Sequence, residues 1–436
     1  MLRWLSVLLW ALMFAAAGGA AQAGEGLAHR YEQADHLVVP LSAADAGPPL
    51  EGGAWQPVAL PDLQRRDVVR ATEQGNERTM HWYRLQWTVP AGLAPGTPLV
   101  VYVPRVISQA AQLWRLEALG WRPVFDNQAG AMEQWNRPLL IPLPPDAMAP
   151  GQTLTLALGT PSRQGRFHAL SHVWVGPEVE LRERHALRSA LQQTVPAAAS
   201  LAMLALGLLS FIVWLGRRDE RGYLYFACAA IGWTVRNLHL FINLPNSDTA
   251  SEWFWWMTAA SVSWLMLATY LFAFRFDARR LPRLERGLAL FVLAGTLITV
   301  PGLMPLGLLV QHGTNLAAGL TVTGVLTVLA VRGGRRELRV IVAALWVILG
   351  FAVHDWLLAA QRITPETIYL LPYGALLLTG SFLYAALRRF TGAVAQAESA
   401  SRVLAARLAE REAELALQHE QLRAVVHVAH QPLALQ

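Results

Sequence analysis

Lysine is absent from this 436-residue sequence: all 36 basic side chains are arginine. Cysteine is nearly absent too, with Cys228 alone in an apolar run. One thiol cannot close an intrachain disulfide, so any exported segment has to be held by its core. Cys228 itself reads as a small buried hydrophobe. Charge is also scarce: 15% of residues are charged and 54% apolar, where ordinary soluble domains carry about 25% charge. That excludes a wholly soluble protein. The net charge of +6 does not indicate nucleic-acid binding. Residues 24–190 hold 15 arginines against 16 acids, and the excess lies in three short clusters further on.

What is present begins with an export signal. Met1-Leu2-Arg3 precedes an apolar run from Trp4 to Ala17, and Ala21-Gln22-Ala23 offers a small-residue cleavage site. Those are the three parts of a secretory signal over residues 1–23; an uncleaved anchor is the other reading. Either places the next segment outside the cytoplasm.

Within residues 24–190, the stretch from about Ala28 to Gly176 has β texture. Tyr83, Leu85, Trp87 and Val89 alternate with Arg84, Gln86 and Thr88, and Leu154, Leu156 and Leu158 alternate with Thr153, Thr155 and Ala157. This is the period of a strand with one buried face. Leu99–Val103 and Leu139–Leu143 are further strands, and Val173–Val175 is expected to close the sheet. Pro/Gly turns between them imply a β-sandwich. Trp82-Tyr83-Arg84, Val89-Pro90, Val101-Tyr102-Val103-Pro104-Arg105 and Gln112-Leu113-Trp114 resemble the galactose-binding-like jelly roll found beside bacterial glycosidases. That family usually carries an Asn-Gly turn where this chain has Leu116 to Gly120. The resemblance implies a jelly roll with ligand-binding residues at Trp82, Tyr83, Arg105 and Trp114.

Beyond Val195 long apolar runs predict seven membrane spans, near 195–215, 223–242, 253–274, 287–303, 308–331, 340–360 and 367–387, most approaching the ~20 residues needed to cross. Arg217, Arg218 and Arg221 follow the first. Arg275 to Arg286 follow the third, and Arg332 to Arg339 the fifth. Arginine in alternate short loops marks the cytoplasmic side. It places the β domain in the periplasm and the C-terminus in the cytoplasm of a bacterial inner-membrane protein. Trp253, Phe254, Trp255 and Trp256 then fall at the outer interface.

Polar side chains interrupt three spans: Arg236, Asn237 and His239 in the second, Gln311, His312 and Asn315 in the fifth, His354 and Asp355 in the sixth. At 1.5 Å per residue, Arg236 and Asp355 share a depth within roughly 5 Å. Ionisable groups so placed usually face the bundle interior. A polar pocket beneath the β domain with an Arg236–Asp355 pair is expected; separate groups snorkelling to the interface, or a histidine metal site, are the other readings. No motif implies a cofactor.

The last segment, 391–436, favours helix. Leu408, Leu415 and Leu422 recur every seven residues, with Leu404, Arg411, Gln418 and Val425 at the alternate core positions, predicting a weak parallel homodimeric coiled coil; one amphipathic helix with a solvated Glu/Arg face is the other reading. His427-Val428-Ala429-His430-Gln431-Pro432-Leu433 resembles the phosphoacceptor box of sensor histidine kinases, which implies His427 as the phosphorylated residue. Val428 stands where that family has a glutamate. The sequence ends three residues after Leu433, before any ATP-binding domain.

The whole layout (signal peptide 1–23, β-sandwich 24–190, seven helices 191–390, signalling helix 391–436) resembles bacterial seven-transmembrane receptors with diverse intracellular signalling modules. That resemblance implies reception of a small solute, such as a carbohydrate, and relay to a cytoplasmic kinase or response regulator. A transporter or membrane enzyme working through the polar intramembrane zone is the alternative, and so is an active histidine kinase.

Overall fold

A computed structural model describes residues 26–43, 47–49, 54–64, 78–108, 110–127, 136–144, 150–163, 168–242, 248–275, 281–303, 308–333 and 336–429. The signal sequence and residues 430–433 of the histidine-kinase-like box lie outside them. The chain divides into two compact units, Met1–Thr379 and Gly380–Gln436.

Thirteen strands form among the described residues: β1 (His29–Tyr31), β2 (Gln33–Pro40), β3 (Gln56–Ala59), β4 (Asp62–Gln64), β5 (Arg78–Thr88), β6 (Leu99–Val103), β7 (Val106–Ile107), β8 (Gln112–Glu117), β9 (Gly120–Asp126), β10 (Leu139–Pro142), β11 (Thr153–Arg163), β12 (His168–Leu170) and β13 (Val173–Pro177). They make a six-stranded sheet ordered β3-β2-β5-β11-β8-β9, a four-stranded sheet β1-β13-β6-β10 and a small sheet β4-β12-β7. The pairings are antiparallel. The two expected alternating segments are β5 and β11, paired in full, with Tyr83 opposite Leu158, Leu85 opposite Leu156 and Trp87 opposite Leu154. These apolar pairs join Leu99, Val101, Val103, Val173 and Val175 in one buried core, so period two put the correct face inward. Val173–Val175 is not at an edge. β13 lies between β6 and the N-terminal strand β1.

The outer face of the four-stranded sheet is covered by a helix. α1 (Glu178–Ser189) starts directly after β13, with Glu178 and Glu180 in its first turn and Arg188 in its last, charges that suit the helix dipole at each end. Its Leu181 packs on Val100 and Tyr102. A π-helical turn at Ala190–Thr194 carries it into α2 (Val195–Gly216). There is no linker between sheet and bundle. The covering helix and the first bundle helix are continuous.

The remaining helices are α3 (Arg221–Phe241), α4 (Asp248–Phe274), α5 (Pro282–Ile298), α6 (Leu308–Gly333), α7 (Arg336–Ala359) and α8 (Gly374–Ala429). Among the described residues, four stretches are long and apolar enough to cross a membrane: Glu178–Gly216, Thr249–Phe274, Leu309–Gly333 and Arg336–Ala359. The first six observed helices begin and end within five residues of the expected spans, and the last helix runs beyond residue 387 to Ala429. The helix expected from Thr367 begins at Gly374, after a 3₁₀ turn at Leu371–Tyr373. Cys228, expected in the core, is exposed on the outer side of α3.

Candidate functional site

Adjacent strand residues point to opposite faces, and this separates the four residues expected to bind sugar. Tyr83 is in the sandwich core, its hydroxyl donating to Asp62 at 2.7 Å. Trp82 lies on the opposite face of β5, fully buried over Gly159. Trp114 is on that same outer face, its ring 6.3 Å from Trp82. Arg105 is fully buried elsewhere. The structure therefore does not bring these four into one site. Trp82 and Tyr83 are packing residues, and burial leaves a ligand no face to touch.

Arg105 instead anchors the β domain to the bundle. Its guanidinium stacks 4.9 Å over the Tyr369 ring and donates to the Asn136 side chain at 3.0 Å. Nε and Nη1 have no hydrogen-bond partner, and burial pushes the guanidinium pKa down. Asn136 in turn donates to the Gln192 carbonyl at 3.2 Å, and Tyr373 donates to Leu191 O at 2.6 Å. Both acceptors belong to the π turn, where the widened ladder leaves carbonyls to be satisfied from outside.

A second anchor lies beside it. His172, between β12 and β13, hydrogen-bonds the Glu366 carboxylate through Nδ1 and through its backbone N–H at 3.2 Å. Its Nε2 is 3.0 Å from Glu32 Oε2. Arg30 lies 4.0 Å from Glu366 and 3.4 Å from Glu32. Burial alone would raise the Glu366 carboxyl. The His172 hydrogen bonds and the charges of His172 and Arg30 outweigh it and hold the pKa below the usual carboxylate value. Arg137 adds a contact to Ile242 O at the end of α3, 3.3 Å away.

Below these anchors the loop between α7 and α8 passes into the helices. The Asp355 carboxylate accepts the backbone N–H of Leu370 at 2.8 Å and of Leu371 at 2.9 Å, and His354 Nδ1 lies 3.0 Å away. These bonds fix the 3₁₀ turn and delay the start of α8. The expected Arg236–Asp355 ion pair is not formed. Asp355 is committed to the loop, and Arg236 Nη1 lies 2.9 Å from His239 Nε2. The two do share a cavity of about 200 Å³, together with His239, His312, Asn315 and Tyr369. His354 is half-buried beside it. Asn237 is turned to α2, donating to Ser200 at 3.0 Å. The pocket expected from helix depth is thus present, without the direct pair.

Sequence reasoning missed Glu366, Tyr369, Asn136 and His172. The one available signal was Glu366, the lone acid in the short loop between the sixth and seventh expected spans. The backbone of His427 lies in α8; the heptad leucines 404, 408, 415 and 422 are exposed along the same helix.

A β domain is thus joined by buried anchors to a helical bundle that holds a cavity. Residues 195–389 match the 7TMR-DISM_7TM family model, 7TM diverse intracellular signalling. The match supports a transmembrane signalling receptor. No curated protein matches the chain. Solved structures similar to part of it include a Faecalibacterium prausnitzii beta-glucuronidase, at 14% identity over 36% of this chain and 33% of that one, with a TM-score of 0.24. A Ruminococcus gnavus beta-glucuronidase has 11% identity over 35% and 29%, with a TM-score of 0.26. The chain spans about a third of their length, and likeness at these scores bears on neither fold nor ligand.

Proposed function

We propose that this receptor takes up a small solute on its periplasmic side, with the β domain acting as a cap on seven membrane spans, α2–α8. The event is relayed through the loop between α7 and α8 to the cytoplasmic end of α8. The carrying observation is a chain of buried contacts. Arg105 and His172 of the β domain hold Tyr369 and Glu366, and the next residues of that loop, Leu370 and Leu371, are held by Asp355 beside the cavity. A change at either end therefore moves the loop that leads into α8. The arginine loops orient the bundle, with the C-terminus in the cytoplasm of the inner membrane. The exposed heptad leucines support a parallel dimer, presenting His427 or a partner kinase for output. A buried role for Trp82, Tyr83 and Arg105 favours a small solute over a sugar bound on the sandwich.

Cysteine cross-linking in membranes tests the reading. With Cys228 replaced by Ala, Leu408→Cys and Leu415→Cys should each form disulfide dimers, and a cysteine at the polar position Glu410 should not. Glu366→Gln should alter the Leu415→Cys cross-linking rate. Equal cross-linking at 410 and 415, or a rate indifferent to Glu366, would sink the dimeric relay.

A further inference from the structure

The hydrogen-bonding groups around the intramembrane cavity are unbalanced. Arg236 Nε, Asn315 Nδ2 and Trp233 Nε1 are buried without partners, and all three are donors. Asn315 is only 6% exposed, and its oxygen is already occupied by Ser263 at 3.0 Å. The one carboxylate of the lining, Asp355, is committed. Both Asp355 oxygens take backbone N–H groups, and Tyr270 donates to Gly319 O at 2.8 Å. A buried donor left unsatisfied in an apolar setting is costly, and a guanidinium more so. The rest of the wall is aliphatic, including Val262, Leu265, Leu345 and Leu349. The space of about 200 Å³ is below the roughly 300–1,000 Å³ of sites for drug-sized ligands.

We propose that this cavity binds a small monocarboxylate with a short apolar tail. The carboxylate lies on the Arg236, Asn315 and Trp233 donors, where it supplies the missing acceptors and a counter-charge for the guanidinium. The tail lies among the leucines of α4 and α7. An alcohol brings an acceptor but no charge. An alkylammonium brings only donors and faces Arg236 with the same sign. A phospholipid is too large for the space. The inference rests on the receptor reading and gives the solute its chemical class.

The probe is radiolabelled hexanoate, added to the full chain in nanodiscs and measured by equilibrium binding. Saturable binding of about one molecule per chain is expected, displaced by unlabelled hexanoate but not by hexanol or hexylamine. Arg236→Gln should weaken it at least about tenfold, the scale of a charged hydrogen bond. Gly319→Leu should do so from the apolar side, since a Cβ there already meets Leu349 Cδ2 at 3.0 Å. No saturable binding to the natural chain, displacement by hexylamine or hexanol as effective as by hexanoate, or full affinity in Arg236→Gln would each overturn the proposal. The displacement series needs no variant, so a misfolded variant leaves the test decisive. The cross-linking response to Glu366→Gln reports on the relay alone, so failure of the site and failure of the relay are distinguishable.

Discussion

His172 and Glu366, 194 residues apart in sequence, are joined by both the imidazole and the backbone N–H of His172 on a single carboxylate oxygen. His172 is 5% exposed, and this contact connects the sandwich to the loop leading into α8. Replacing Glu366 by Gln should lower stability by about 1.5–3 kcal/mol, the range for hydrogen bonds to charged groups. The folded pKa of Glu366 is depressed. Its contribution is therefore full above the unfolded carboxylate value of about 4.3 and is lost as pH falls through the lower folded value. Thermal unfolding of the full chain against pH, with and without Glu366→Gln, checks both statements.

Three imidazoles are stacked between β2, β5 and β12. His36 and His81 centroids are 5.2 Å apart, and His81 and His168 4.1 Å. The Ser162 and Thr160 hydroxyls lie 2.8 Å from Nε2 of His81 and of His168, and His168 Nδ1 is buried without a partner. Burial, with a smaller contribution from the charge of His36 and against the pull of Asp62, pushes His81 down to about 4. Burial pushes His168 down well below its ordinary value. Protons excluded from the fold bind the unfolded chain below about pH 6.5. Stability should therefore fall on acidification from 6.5 towards 4, by about 1.4 kcal/mol per pH unit for each excluded proton. His81→Phe should flatten that slope, as read by melting curves at successive pH values. A slope unchanged in His81→Phe would show that the stack is not its source.

Asp355 accepts the backbone N–H groups of Leu370 and Leu371, one on each oxygen. Asp355→Ala leaves both orphaned and should cost about 2–6 kcal/mol at about 1–3 kcal/mol per buried donor. Asp355→Asn keeps one acceptor and should recover part of the loss. Arg236→Ala should cost less than Asp355→Ala, because the two form no direct ion pair. Yield and melting temperature of the three variants would show the order.

Gly159 faces Trp82 across the β5–β11 pair, and a Cβ added there would overlap the indole ring. Gly159→Ala should therefore destabilise the sandwich by about 1–3 kcal/mol, as overpacked cores do, and change near-ultraviolet circular dichroism through the displaced tryptophan. It should leave hexanoate binding intact, because the residue is far from the cavity lining.

Much of this protein was determined by local sequence rules. Alternation at Tyr83–Val89 and Leu154–Leu158 fixed two strands and their buried faces, since period two is a property of extended backbone alone. Apolar length and arginine spacing fixed helix positions, because lipid and loop charge act on each segment separately. Equal depth of Arg236, His312 and Asp355 along their helices placed them around one space. What the tertiary structure alone decided is how these groups are partnered. Asp355 took Leu370 and Leu371 rather than Arg236, because backbone N–H groups at a helix start must find acceptors, and fifteen residues of chain bring them there. Arg105 became an anchor and not a ligand residue, since its neighbours Asn136 and Tyr369 come from distant parts of the chain. Hydrogen-bond partnership depends on which donors and acceptors remain unsatisfied once the whole fold is assembled, and no local pattern encodes that remainder.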